Sequence, residues 1–440
     1  MSSDPRDALR RELHKIPENW SWRWQDEVFD FQGGAQPPAS TFVDGPRAGY
    51  VRLIQIRDYY SDGHITYVPD SSKLRKCDAD DVMIARYGSS ATGVVDNSLG
   101  RICRGLSGAY NVALARAIPN EGVTKDFLYY LLNSDYFQRP LLAQGARSVQ
   151  AGFNRNGLRV IPFPIPPLPE QRAIAHILGT LDDKIALNRR MSATLEELAR
   201  ALFKAWFVDF EPVRANMAGR PSASAPGALG DLFPARLVPS ELGEIPEGWG
   251  ASTIGDEFDL TMGQSPPGST YNEDGDGTPF YQGKTDFGFR YPSRRVYCTA
   301  PTRAAREGDT LVSVRAPVGS INMAAEDCAV GRGVAAIRHK GGSRSYTYYS
   351  LQALQPAFGV YESAGTVFGS IGKKDFEALS CIAPSAGIVE LFERLCFPID
   401  LQIECSQREN DSLSSLRDML LPRLVSGELR VGDFEELAER

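Results

Sequence analysis

Histidine is scarce in this chain of 440 residues. His14, His64, His176 and His339 are the only four, and none sits at metal-ligand spacing, so a histidine-based metal site is not expected. Cysteine is scarce too. Cys77, Cys103, Cys298, Cys328, Cys381, Cys396 and Cys405 are odd in number and no two lie closer than nine residues, which fits thiols in a reducing compartment rather than a disulfide framework or a zinc knuckle. No run of about 18 uncharged apolar residues is present to span a membrane. The opening Met1-Ser2-Ser3-Asp4 has no apolar signal core, so a cytoplasmic protein is expected. Positive charge is not in excess either: the net charge is -7, which argues mildly against a protein that coats nucleic acid. The acid is unevenly placed. Residues 17–168 carry 16 Lys+Arg against 15 Asp+Glu, residues 246–384 carry 13 against 15, and residues 385–440 carry 6 against 12. A basic face on either large segment is therefore compatible with the total.

Catalytic signatures are missing as well. Gly277 to Thr285 looks like a phosphate-binding loop, but five residues separate Gly277 from Gly283, Pro279 intervenes, and no helix opens after it. Asp286-Phe287-Gly288 has no companion kinase motif. Asp274 to Gly277 lacks the glutamate at position twelve of a calcium loop. Pro69-Asp70 to Lys73 reads as a turn, and so does Ser265-Pro266-Pro267-Gly268. Metal-binding and catalytic residues are thus expected to be absent, and the chain is expected to be non-catalytic by itself.

What the sequence does have is an internal repeat. Ile16-Pro17-Glu18-Asn19-Trp20 recurs as Ile245-Pro246-Glu247-Gly248-Trp249, an offset of 229. The same offset aligns Phe29-Asp30 with Phe258-Asp259, Gly34 with Gly263, Pro37-Pro38 with Pro266-Pro267, and Asp80, Val82 and Arg86 with Asp309, Leu311 and Arg315. Leu181-Asp182 and Ile185 match Ile399-Asp400 and Ile403 at offset 218, as do Leu195, Leu198 and Leu202 with Leu413, Leu416 and Leu420. So long a period is not that of a solenoid. It suggests a pseudo-twofold molecule in one polypeptide.

Length alone suggests about three folded units at roughly 150 residues each, and the repeat divides the chain more finely. The expected class is α+β: two mixed, mostly β domains separated by two long antiparallel α-helices. Alternating runs at 50–56, 81–86, 310–315 and 334–337 read as strands, and short helices are expected at 125–133 and around 346–354. A first long helix enters at Pro169-Glu170. Its apolar residues Ile174, Leu178, Leu181, Ile185, Leu195, Leu198 and Leu202 read as a heptad seam, echoed by Leu391, Leu395, Ile399, Ile403, Leu413, Leu416 and Leu420. Both seams turn polar in the middle, at Asn188 and Ser192 and at Ser406 and Asn410, which would set the register of an antiparallel pair. About 35 helical residues span roughly 50 Å, enough for a spacer. The expected boundaries are residues 1–168 and 245–386 for the globular domains, 169–212 for the first helix, 213–244 for a partly extended Ala/Gly/Pro/Ser-rich linker, and 387–440 for the second helix and acidic tail, with Pro398 and Pro422 interrupting it.

Two similar units held apart suit a ligand with two spaced sites, and duplex DNA repeats every 34–36 Å or so. Base contacts call for Arg, Lys, Asn, Gln and Ser near loops. The candidates are Gln55, Arg57, Arg86, Tyr87, Ser89, Arg147, Gln150, Asn154 and Arg155 in the first domain, and Tyr281, Gln282, Lys284, Arg315, Ser370, Lys373 and Lys374 in the second. Arg86 and Arg315 are favoured, because the repeat gives them equivalent positions after an apolar strand. Their plain alternative is an ion pair with Asp80 or Asp309. The competing class is a non-catalytic two-headed scaffold that does not bind DNA.

Pro167-Leu168-Pro169-Glu170-Gln171-Arg172, Phe203-Lys204-Ala205-Trp206-Phe207-Val208-Asp209-Phe210-Glu211-Pro212, Ser240-Glu241-Leu242-Gly243-Glu244-Ile245-Pro246-Glu247 and the ending Leu421-Pro422 to Ser426-Gly427-Glu428-Leu429 resemble the specificity subunit of type I restriction–modification systems, over nearly the whole chain. The resemblance implies two target-recognition domains reading an asymmetric bipartite DNA target. It implies two methyltransferase subunits as partners, bringing S-adenosylmethionine chemistry at adenine N6, and an ATP-dependent restriction subunit. S-adenosylmethionine, ATP and Mg would sit on those partners and none on this chain. Trp206, Phe207 and Phe210 would be docking surface. The second copy lacks that aromatic run, so docking there is expected to differ, and DNA binding by the chain alone is expected to be weak.

Overall fold

The computed structural model describes residues 14–61, 63–87, 98–145, 158–363 and 369–432. They form two units, Met1–Ile185 with Asp411–Arg440, and Ala186–Asn410. Each unit takes one globular domain and a portion of both long helices, Leu168–Phe203 and Ala386–Ser426.

The two globular domains repeat one topology. The first has a four-stranded antiparallel sheet in the order Phe29–Gly33, Leu114–Pro119, Val82–Ala85, Ile102–Cys103. The second has Phe258–Met262, Val334–His339, Thr310–Ser313, Ile321–Met323 in the same order. Each domain adds a five-stranded sheet with one parallel pairing, Leu53 beside Ala109 in the first and Phe280 beside Ala329 in the second. The strands Val82–Ala85 and Thr310–Ser313 are buried on both faces, so the first is apolar throughout rather than alternating, while the second buries Thr310 and Ser313 at its ends. Val82 and Ile84 join a core with Phe29, Phe127 and Phe163, while Met83 points into a second core with Ile54, Cys103 and Tyr110. The expected helices are Lys125–Asn133 and Arg344–Ala353.

The long helices run antiparallel. Within the second unit Asn188 faces Asn410 while Phe203 lies 5.6 Å from Phe392, ring to ring, so one number rises as the other falls. The seam differs from expectation. Ile174, Leu178 and Ile185 are buried, but beyond Ser192 the inward residues are Glu196, Ala199 and Phe203, and Leu198 is exposed. Leu395 and Leu416 are exposed likewise, and the second helix turns Phe392, Cys396, Asp400, Ile403, Ser406 and Asn410 inward. The steps of three and four continue from Asn188 through Glu196 and Ala199; apolar identity alone pointed to the neighbouring residues.

Pro398 and Pro422 do not interrupt the second helix, which is continuous. A proline removes one donor, and the carbonyls that lose it belong to Arg394 and Asp418, both exposed, where water can replace the bond.

The helix ends explain two of the repeated motifs. After the first helix the chain takes a π turn over Lys204–Val208 and a left-handed residue, Phe210 at φ 53°, before the helix Glu211–Met217. After the second, Gly427 at φ 76° makes the matching turn, again followed by a glutamate, Glu428. Each turn lands on its unit's copy of the Ile-Pro-Glu-x-Trp motif. Phe210 packs 5.8 Å from Trp249, and a Cβ on Gly427 would meet Pro17 Cδ at 2.6 Å. In the first unit Trp20 donates its indole N–H to Glu170 at 2.8 Å, and Arg430 pairs with the same carboxylate at 2.7 Å.

Residues 213–244 are not an extended linker. They include most of the helix Glu211–Met217, a 3-10 helix Gly227–Leu232 and a hairpin strand Leu237–Ser240, with Val213, Ala225 and Phe233 in the core of the second unit. Glu211 organises the turn that small residues make reachable. It accepts hydroxyl bonds from Ser222 (2.6 Å) and Ser224 (2.8 Å), backbone N–H groups of Ala223 and Ser224, and a pair with Arg220 at 3.2 Å. Partial burial would raise its carboxyl, but those donors outweigh it and hold the group down at about 2. A group so lowered adds stability above its unfolded pKa that is lost as pH falls. Glu211→Gln is therefore expected to cost about 1–2 kcal/mol near neutral pH, and acid unfolding of wild type to carry a contribution between pH 4.5 and about 2 that the variant lacks. Urea titrations at pH 7 and pH 3 measure both.

Candidate nucleic-acid interface

In the second domain the strand Thr278–Tyr281 ends beside the turn that follows Thr310–Ser313. Gly331 donates its N–H to Tyr281 O at 2.9 Å, and Val314 donates to Gly333 O at 2.9 Å, so the Gly331-Arg332-Gly333 loop ties both strand ends together. An open cleft of about 500 Å³ results, lined by Ser265, Gln282, Lys284, Thr285, Arg315 and Arg332 among others. Lys284, Arg315 and Arg332 are exposed and make no ion pair among the described residues, and no carboxylate lines the cleft. Asp286, next in sequence to the lining residue Thr285, is buried, paired with Arg295 at 3.0 Å, and accepts the backbone N–H of Gln282 at 3.2 Å. Three uncompensated cations around a polar floor make an anion-binding surface.

The first domain builds the same junction with other side chains. Asn111 donates its N–H to Ile54 O, and Arg86 donates to Ala113 O. Gln55 donates its backbone N–H to the buried Asp58 at 3.1 Å, as Gln282 does to Asp286. The side chains of Gln55 and Arg57 both reach Thr66 Oγ1 at 3.4 Å. Arg86 stacks on Tyr87, 5.3 Å from the ring centre.

These ladders shift the expected equivalence by one residue. Ala85 pairs with Leu114 and Ser313 with Val334, so Arg86 corresponds to Val314 and Tyr87 to Arg315. Asp81, not Asp80, corresponds to Asp309: each is buried, accepts the backbone N–H three residues before it, and pairs with an arginine, Arg116 or Arg338. The ion-pair alternative for Arg86 and Arg315 is not what forms, since Asp80 pairs with Lys125 and Asp309 with Arg338.

Of the other candidates, Tyr281 is wrong for a base contact. It is buried in the core with Leu311 and Val330, and burial pushes its hydroxyl far above the ordinary tyrosine range. Ser370 bridges Arg315 across a short antiparallel contact and is exposed at the cleft's edge. Lys373 and Lys374 are exposed but do not line the cleft, and Lys373 pairs with Glu377 at 3.4 Å. Ser89, Arg147, Gln150, Asn154 and Arg155 lie outside the described residues. Arg332 was missed, although its place between two glycines marks an exposed loop cation.

The helix-register residues are brought together. Asn188 donates its amide to Asn410 at 3.1 Å and to Glu409 at 2.7 Å, and Ser192 and Ser406 are buried in the same helix pair. Trp206, Phe207 and Phe210 cannot be docking surface. All three are buried, Trp206 against Phe233 and Phe392, and Phe207 against Trp249. Their neighbour Val208 is the exposed apolar residue of that run.

Comparison with known proteins agrees with this fold. The family of type I restriction modification DNA specificity domains matches residues 17–197. The MjaX specificity subunit of a type I restriction enzyme from Methanocaldococcus jannaschii is 31% identical over 327 residues, 73% of this chain and 72% of that one. The MjaIX specificity subunit of the same organism is 24% identical and covers 96% of both chains. The crystal structure of a type I restriction–modification S subunit from M. genitalium shares the fold at a TM-score of 0.58 and 15% identity, over 94% of this chain and 98% of that one. The chain belongs to the specificity subunits of type I restriction–modification systems. Among the described residues, no helix is long and apolar enough to cross a membrane.

Proposed function

We propose that this chain reads an asymmetric, bipartite duplex DNA site and delivers it to methyltransferase and restriction subunits, itself performing no chemistry, in the cytoplasm. The observation that carries the reading is the repeated strand-end junction, furnished with Lys284, Arg315 and Arg332 in one domain and with Arg57, Tyr87 and Val112 at the corresponding places in the other. One backbone design with unequal side chains supports two readers of unlike half-sites. S-adenosylmethionine, ATP and Mg are assigned to the partner subunits.

The repeat also supports two methyltransferase subunits. Leu198 and Leu416, matched by the offset of 218, are 58% and 42% exposed, one in each unit. An apolar side chain kept outward at matched positions suits two copies of one partner. Leu198→Asp and Leu416→Asp are each expected to lower the complex from two methyltransferases to one, and together to abolish binding, as read by native mass spectrometry.

Methylation-sensitive sequencing of DNA from cells carrying the system tests the whole reading. A single split motif methylated on adenine is expected. A mobility shift with partners present that finds no sequence-specific DNA binding would leave a two-headed scaffold instead.

A further inference from the structure

Gln282 and Gln55 occupy one place in two domains. Each is the first residue after a strand that lies parallel to its neighbour, following Tyr281 in one domain and Ile54 in the other. Each has its backbone N–H held by a carboxylate a few residues on, Asp286 at 3.2 Å and Asp58 at 3.1 Å, and both carboxylates are buried. Asp286 is in turn paired with Arg295 at 3.0 Å, and Asp58 has Arg57 at 3.8 Å and Arg52 at 4.0 Å beside it. The backbone that carries each glutamine is therefore pinned. In the second domain the side chain stands exposed among three cations suited to phosphates.

We propose that Gln282 and Gln55 are specificity-determining residues, each reading an adenine in the major groove of its own half-site. The chemistry selects the base. A primary amide offers a donor beside an acceptor, and adenine presents N7 as acceptor beside N6 as donor; guanine presents two acceptors, cytosine a single donor, thymine an acceptor and a methyl group. The cations of the cleft take the sugar–phosphate backbone, which fixes register without choosing sequence. Lys284, Arg315 and Arg332 thus supply affinity, and Gln282 supplies choice. In the first domain Gln55 leaves its weak 3.4 Å contact with Thr66 to make the same pair.

The inference rests on the DNA-reading function above, and the test separates the two. The chain is assembled with its methyltransferase subunits, and the methylated motif is read by sequencing. Each adenine of that duplex is then replaced singly by 7-deazaadenine, which lacks the N7 acceptor, and competition binding is measured. One adenine in one half-site is expected to weaken wild-type binding by roughly ten-fold or more when so replaced, and Gln282→Ala to be indifferent to that replacement. Gln55→Ala is expected to show the same at an adenine of the other half-site. Gln282→Glu, which only accepts, is expected to shift preference at that position toward cytosine. Equal sensitivity of wild type and variants to every replacement overturns the assignment while leaving DNA recognition standing. A wild-type complex with no bipartite motif overturns the reading beneath it.

Discussion

Replacing Lys284, Arg315 and Arg332 together by alanine is expected to weaken DNA binding by the assembled complex by roughly 10²–10³-fold at about 0.1 M salt, with the salt dependence of log K falling by about three. Each phosphate contact releases close to one counterion, so each is worth nearly a decade at that ionic strength. The prediction depends on these cations being uncompensated. A guanidinium already held by a carboxylate, as Arg338 is by Asp309, has less to offer a phosphate. Lys373→Ala with Lys374→Ala, outside the cleft, is expected to lower the slope less. Fluorescence anisotropy against salt decides it, and an unchanged slope in the triple variant would place the DNA elsewhere on the domain. Because the three residues are exposed, melting temperature is expected to stay within a degree or two of wild type.

Arg290→Met is expected to cost the second unit about 3–5 kcal/mol, a fall of roughly 6–20 °C in its melting temperature. Arg290 is 1% exposed and lies between the two long helices of that unit. Its Nη2 reaches Glu196 at 2.7 Å on the first and Asp400 at 3.0 Å on the second, and donates to Tyr349 OH at 2.6 Å. The guanidinium carbon lies 3.8 Å from the Tyr348 ring centre. Removing the cation leaves two buried carboxylates facing each other. Burial already holds the Asp400 carboxyl above its usual range, against the pull of Arg290. A group so raised binds protons more readily folded than unfolded, so its contribution is complete at low pH and lost as pH rises through the folded pKa. The variant is accordingly expected to gain stability, relative to wild type, from pH 8 to pH 5. Adding Glu196→Gln and Asp400→Asn is expected to recover most of the loss at pH 7. Calorimetry is the measurement, and a loss under about 1 kcal/mol would mean that the triad holds nothing together.

The repeat, the short strands, the helix at Lys125–Asn133 and the long helices were all legible, because each rests on periodicity or on self-comparison. What escaped depended on partners distant in sequence. Glu196 could not be placed inside a helix pair without Arg290, which is 94 residues away. The alignment of Arg86 with Arg315 failed by one residue because a difference in loop length leaves no trace in the flanking residues, and in a strand one residue changes the face. The Ala/Gly/Pro/Ser composition of 213–244 hid a folded segment, since small residues serve both flexible linkers and the tight turns around Glu211. Trp206, Phe207 and Phe210 show the general difficulty: an aromatic run is equally good as interface and as core, and here it is core. In the cleft, Gln282, Lys284 and Arg315 were found by residue type, and Arg332 needed the Gly331 and Gly333 contacts to place it.

The first unit is closed by residues from the far end of the chain: Leu420, Leu424 and Val425 in its core, Gly427 on Pro17, and Arg430 on Glu170. During synthesis, then, the first globular domain is made before the second unit yet waits until that whole unit has been translated before its last core positions are filled. Ribosome stalling or premature termination after Asn410 would release a product whose second unit is complete and whose first is not, a natural substrate for proteolysis.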